Sequence, residues 1–225
     1  MKRGRAMRWR GVKLWGFQVG VVLVATSCSL LGPTPNESVS NTYLLQWDPT
    51  AQNEPAVQSN PACPTLLLGP SRTSPGYEGA GMAYIEEAHR IDYFAHHRWA
   101  DSPARMVEPL LMSALETSGM FQAVVRAPTT AHFDLRLDTE LLRLVQVFEP
   151  TVSRVEVAVR ISLLDTHVQR VLVSDVLEVT EPASERTPYG GVIAANRAVA
   201  RLLEELQLVL RPFVTPLCRM IEPAA

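Results

Sequence analysis

The strongest constraint on the fold is an alternation of apolar and polar residues that begins at residue 132. Phe133, Leu135 and Leu137 share one parity, and His132, Asp134, Arg136 and Asp138 share the other. Successive side chains of a strand point to opposite faces, so this pattern predicts a half-buried antiparallel strand, continuing through Leu141 to Val147. Val155, Val157, Val159, Ile161 and Leu163 alternate with Arg154, Glu156, Arg160 and Ser162 in the same way. A turn over 165–167 leads to a third strand over 168–180. There Asp175 shares parity with Val171, Val173 and Leu177, which predicts a bulge near Ser174. Strands of this kind must bury one face against something else.

Two amphipathic helices supply the cover. Ser102-Pro103 offers an N-cap and a proline at the first helical position, and Gly119 is placed to end the helix. Met106, Val107, Leu110, Leu111, Ala114 and Leu115 recur at helical spacing between them. Pro109 predicts a kink or a later start. The second helix is predicted from Pro188 to Leu210, with Val192, Ala195, Val199, Leu202, Leu206 and Val209 on one face and Pro212 stopping it. A membrane-surface helix is the alternative reading of that face, but packing on the sheet explains it. Shorter strands are predicted at Thr42–Trp47, Pro64–Gly69 and Phe121–Val125, with a hairpin of Met82–Ile85 and Arg90–Ala95. The fold class is α+β: an antiparallel-rich mixed sheet with two main helices packed on one face.

The start of the chain has a different character. Lys2, Arg3, Arg5, Arg8, Arg10 and Lys13 precede a largely apolar run, Leu14 to Ala25, that is short for a bilayer span of about 20 residues. This reads as a signal peptide over residues 1–27. Leu23 to Cys28 resembles a bacterial lipobox, with Ala25 where Leu is usual, so the mature chain is expected to begin at a lipidated Cys28. Residues 28–40 are rich in Pro, Ser and Asn and read as a flexible tether, and residues 41–225 as one domain. After Cys28 there remain 15 basic and 23 acidic groups, a formal charge of −8. Such a surface disfavours nucleic acid, which needs concentrated positive charge. Besides Cys28 the chain has only Cys63 and Cys218, either a disulfide or two unpaired thiols.

No chemical motif organises the polar residues. Glu86, Glu87, His89, Asp92, His96 and His97 are dense in ligand types but lack metal-site spacing, and read as a solvated hairpin edge; no metal or other cofactor is expected. There is no GxSxG elbow to support a hydrolase. Gly190-Gly191 lacks the rest of a phosphate-binding pattern and reads as a flexible helix start. No catalytic residue is assigned.

Tyr84, Tyr93, Arg98-Trp99-Ala100, Pro103, Met106, Leu110, Leu115 and Ser118-Gly119-Met120-Phe121 together resemble the ABC-type transport auxiliary lipoprotein family, also called PqiC-type. Tyr43-Leu44-Leu45, Pro75-Gly76-Tyr77, Asn196, Ala198, Leu202, Leu203 and Leu206 extend the likeness over nearly the whole mature chain. The resemblance implies a non-enzymatic, periplasm-facing lipoprotein of an MCE-type lipid transport system, working with an MCE-domain protein and an ABC permease and ATPase. It also implies a lipid anchor in the membrane and homo-oligomerisation. Ser29 after Cys28 resembles the outer-membrane sorting choice. Trp99 is either a core aromatic or, with Tyr93 and Arg98, part of a partner or self-association surface. A lipid-binding carrier and a structural envelope lipoprotein are the alternative functions.

Overall fold

The three strands read from the alternation form the longest ladders of the computed structural model, which describes residues 40–48 and 61–221. They are β7 (Leu135–Phe148), β8 (Ser153–Asp165) and β9 (Arg170–Ala183), paired antiparallel in chain order. Leu135, Leu137, Leu141, Val155, Val157, Val159, Ile161 and Leu163 are each at most 2% exposed. The opposite parity carries charges that answer one another across strands: Arg160 Nη1 lies 2.6 Å from Glu140 Oε2, and Arg143 Nη2 lies 3.2 Å from Glu178 Oε2. One sequence pattern thus builds an apolar face and an ion-paired face.

The irregularities differ in place from those predicted. β7 begins at Leu135, with Phe133 ahead of it, and a register shift between Leu141 and Arg143 returns Leu144 to the interior. In β9 the extra residue is Leu172, because Leu163 pairs with Val173 and Leu164 with Val171, while Ser174 pairs in register with Ser162. Asp175 pairs with Ile161 and keeps the inward parity, yet is exposed. The edge strand is uncovered at that point, so no bulge is needed to turn the carboxylate outward.

The free edge of β7 is completed by three short segments that run beside it in turn. β2 (Thr65–Leu68) pairs with Leu135–Leu137, β3 (Arg72–Thr73) with Glu140–Leu141 and β4 (Gly81–Ile85) with Gln146–Val147, all parallel. Gly69 and Pro75-Gly76 break the segments apart, and Gly76 has φ +90°, a conformation glycine adopts without cost. β6 (Ala123–Arg126) extends the sheet from β2, and β5 (Asp92–Trp99) extends it from β4 as the predicted hairpin. β1 (Asn41–Tyr43) lies parallel to β5 at the far edge. Among the described residues the result is a nine-stranded mixed sheet.

Helix α1 (Pro103–Thr117) and helix α2 (Pro188–Ile221) pack on the apolar face and on each other. Ser102 stands at the N-cap of α1, and Gly119 ends it at φ +67°. Leu111, Ala114 and Leu115 meet the core from α1, and Ala198, Val199, Leu202, Leu203, Leu206 and Leu210 meet it from α2. The predicted stop at Pro212 is overturned: α2 runs through Pro212 and Pro216 to Ile221, and α1 runs unbroken through Pro109. All three prolines are exposed, and so are Arg105 and Leu208, whose carbonyls lose their partners to Pro109 and Pro212. Water can satisfy carbonyls on an outer face, so the penalty is smaller there than in a buried turn. The inner face continues meanwhile, with Val214 fully buried.

Two devices hold the start of β2. Cys63, two residues before it, is joined by a disulfide to Cys218 in the last turns of α2, 155 residues away. The Thr65 backbone N–H donates to Asp134 Oδ2 at 2.8 Å, and Asp134 N–H donates to Thr65 O at 3.0 Å. Burial pushes the Asp134 carboxyl up, but the hydrogen bonds from His167 and Thr65 outweigh it and hold the group below the usual carboxylate range.

Candidate functional site

The described chain enters the domain through β1, and this corner of the sheet gathers an aromatic surface. Tyr43 stacks on His97 with ring centroids 5.8 Å apart, and its hydroxyl is hydrogen-bonded to His97 Nδ1 at 2.9 Å. Tyr189, in the first turn of α2, lies 6.1 Å from Tyr43. Tyr84 of β4 stacks on Phe94 of β5 at 4.5 Å, and both meet Phe148 of β7 edge-on. The Arg186 guanidinium sits 5.6 Å over the Phe148 ring, and its Nη1 donates to Pro150 O. Five segments distant in sequence therefore contribute to one patch.

The β4–β5 hairpin makes this gathering possible. Gly81 pairs with Arg98 and Ala83 with Tyr93, so two steps along β4 span five along β5. The surplus bows Phe94–His97 away from the ladder, and the rings of Phe94 and His97 come within 6.1 Å of each other. Strict alternation in β5 is lost at that point.

Asn196 fixes the first strand to the last helix. Its Oδ1 accepts the Gln46 backbone N–H at 2.6 Å, and its Nδ2 donates to Val192 O at 2.9 Å and reaches Leu44 O at 3.5 Å. The backbone after Tyr43 is thereby taken by a side chain instead of a neighbouring strand. That is why β1 ends at Tyr43 and does not run to Trp47. Leu44 and Tyr189 are left more than half exposed, and Ile193 of α2 is 37% exposed.

The three residues assigned to a partner surface have different fates. Trp99 is 3% exposed with its backbone N–H donating to Ala80 O, so of its two readings the core one holds and it offers no partner surface; the last residue of β5 turns inward where the chain leads to α1. Tyr93 is half-exposed, but its hydroxyl donates to Gly76 O at 2.6 Å and its ring fills the space over Gly81. Arg98 is exposed beside Thr42 of β1. Of the three, Arg98 and the exposed part of Tyr93 are accessible. Cys28, the signal segment, the tether before Ser40 and the loop over 49–60 lie outside the described residues. The ligand-type residues between 86 and 97 do not converge: Arg90 pairs with Glu87 and Asp92, and His97 is taken up by Tyr43.

The sequence pattern missed Phe148 and Arg186, which stand beyond or at the end of strands and carry no local motif. Gly190-Gly191 acquires a steric reason in place of a flexible one. A Cβ on Gly191 would lie 2.2 Å from Gln146 Oε1, and Gln146 in turn donates to Thr187 O at the start of α2.

The sequence between residues 43 and 207 matches the family model described as ABC-type transport auxiliary lipoprotein component. The chain belongs to this family. The matched span starts at Tyr43, the last residue of β1, and includes both Gln46 and Asn196, so the contact that holds the entering chain to α2 falls within the family domain. Among solved structures, the protein XCC0632 from Xanthomonas campestris, of family DUF330, is 20% identical with a TM-score of 0.62, covering 74% of this chain and 92% of its own. An uncharacterised protein is 11% identical with a TM-score of 0.60, covering 76% of this chain and 99% of its own. At these identities the likeness shows a shared fold. No curated protein matches the sequence significantly.

Proposed function

We propose that this chain is the outer, non-enzymatic component of an MCE-type lipid transport system, anchored by Cys28 in the outer membrane and docking the MCE-domain partner from the periplasmic side. The observation that carries the reading is the family match over 43–207, which runs from the last residue of β1 through β2 to β9 and α1 and into α2 as far as residue 207. The position of the anchor supports it. Twelve residues separate Cys28 from the start of β1, a path of 13 steps that reaches about 45 Å at most when extended. A domain on such a tether can meet a partner well away from the bilayer.

The aromatic corner, with Arg98 beside it, is the surface we assign to the partner or to a second copy of the chain. Rings and guanidinium groups are the side chains most used as interface anchors. The carrier alternative is less well supported. The apolar cavity between Met82, Phe94, Trp99, Leu144, Gly191 and Ala195 has a volume of about 10 Å³, room for a single water and far below the roughly 300–1,000 Å³ of typical ligand pockets.

Crosslinking in intact cells, followed by identification of captured proteins, tests the reading. An MCE-domain protein or its permease is expected, and capture of neither would overturn it. Cys28→Ala is expected to release a folded domain from the membrane fraction and to abolish the transport phenotype.

A further inference from the structure

The strongest group of potential metal ligands is not the one that the sequence singles out. His132, Asp134 and His167 each bring one ligand atom to within 4.8 Å of the others. His167 Nε2 lies 2.9 Å from Asp134 Oδ1, and His132 Nε2 lies 3.8 Å from the same oxygen. These residues come from the segment before β7 and from the β8–β9 turn, 33 residues on from Asp134. Only the fold brings them together, which is why no spacing motif announces them.

Two of the three ligands are oriented in advance. Asp134 Oδ2 is occupied by the Thr65 N–H, which turns Oδ1 outward. The turn carrying His167 is clamped to the same place, since Thr166 Oγ1 donates to Asp134 O at 2.8 Å and Thr166 N–H donates to it at 3.0 Å. The backbone N–H of His167 is further held by Asp165 Oδ1 at 2.9 Å. The His132 side chain is 82% exposed and free to swing. Ligands about 2.0–2.1 Å from a tetrahedral ion stand about 3.3 Å apart, so His132 needs to close by roughly an ångström or two.

We propose that His132, Asp134 and His167 form a surface site for a divalent transition metal of the zinc class. Two imidazoles and one carboxylate suit zinc or copper, whereas calcium and magnesium prefer all-oxygen shells. Three protein ligands leave at least one position for water or for a group from another molecule. Such an ion ties the segment before β7, the β8–β9 turn and, through Asp134, the start of β2.

Titration of the full chain, purified in detergent, with Zn²⁺ tests the site by calorimetry, with Co²⁺ absorption as a second readout. One equivalent is expected to bind, unchanged by excess Mg²⁺ or Ca²⁺. His132→Ala and His167→Ala are each expected to weaken binding by about tenfold or more. His132 is so exposed that its replacement leaves folding unaffected, so that variant keeps the test decisive. The control variant His96→Ala, at an exposed histidine outside the group, is expected to bind as the parent does. No saturable binding below about 100 μM, or binding insensitive to His132→Ala, would overturn the proposal. Neither result bears on the transport reading, which rests on other residues.

Discussion

The sheet has two halves held together in different ways. From β7 to β9, strands of 13 and 14 residues pair antiparallel along nearly their whole length, and α2 covers their apolar side. From β1 to β6, strands of two to eight residues pair mostly in parallel over two to four positions each. The first half needs no special contact, because each residue's burial and backbone bonds reinforce its neighbours'. The second half depends on single links: the disulfide at Cys63, Asp134 against Thr65, and Asn196 against Gln46. The aromatic corner and the family's characteristic residues lie largely in that second half. A partner surface assembled from short strands is set by a few replaceable contacts.

A substitution in the ladder half should therefore have the largest and least local effect. Leu163 is fully buried in β8, between Leu137 of β7 and Val173 of β9. Leu163→Ala is expected to cost about 2–5 kcal/mol and to lower the stability of the whole domain as one unit. Thermal and denaturant unfolding followed by separate probes checks this. A loss confined to one edge of the sheet would show that the ladder half is itself divided.

The disulfide gives the next largest effect, and it distinguishes the halves. Replacing Cys63 and Cys218 together by Ser opens a 155-residue loop and is expected to cost about 2–4 kcal/mol, the range seen for such bonds. Hydrogen exchange should quicken first at β2 and β6, which have the link at their start, and last at β8. Equal loss of protection in both halves would break the distinction. Thiol labelling of the exported protein without reductant is expected to modify neither cysteine, and modification of both would show that the bond does not form in the cell.

The same contrast explains what could be read from sequence. Period-two patterning over 132–165 is a direct record of burial, so most of β7 and β8 is legible residue by residue, as is the inner face of α2 from its spacing of three and four residues. Leu66, Leu67 and Leu68 announced a strand but not its partners, because a continuous apolar run records burial on both faces without showing which strands lie beside it. Pro212 misled because the penalty of a proline depends on which helix face it occupies, and sequence alone does not show how far the inner face continues. Trp99 could be read from sequence either as core or as surface, and the structure takes the core alternative for it while leaving Arg98 outside. The aromatic corner and the His132–Asp134–His167 group depend on contacts between segments far apart in sequence, and neither has a local signature.

Asn196 offers the smallest and most local test. Its side chain holds the backbone of Leu44 and Gln46 to α2, and no ladder partner replaces it there. Asn196→Ala leaves the Gln46 N–H to water and is expected to cost about 1 kcal/mol, the net worth of an ordinary hydrogen bond. Exchange should quicken at residues 41–46 while β7 to β9 keep their protection. Asn196→Asp retains the acceptor for Gln46 and should restore much of the protection, an outcome that a simple loss of helix packing would not give. If β1 is the part of the partner surface that Asn196 positions, the Ala variant will also capture less partner in cells at unchanged protein level. Undiminished capture with a loosened β1 would move the docking surface away from this corner, toward the other exposed parts of the domain.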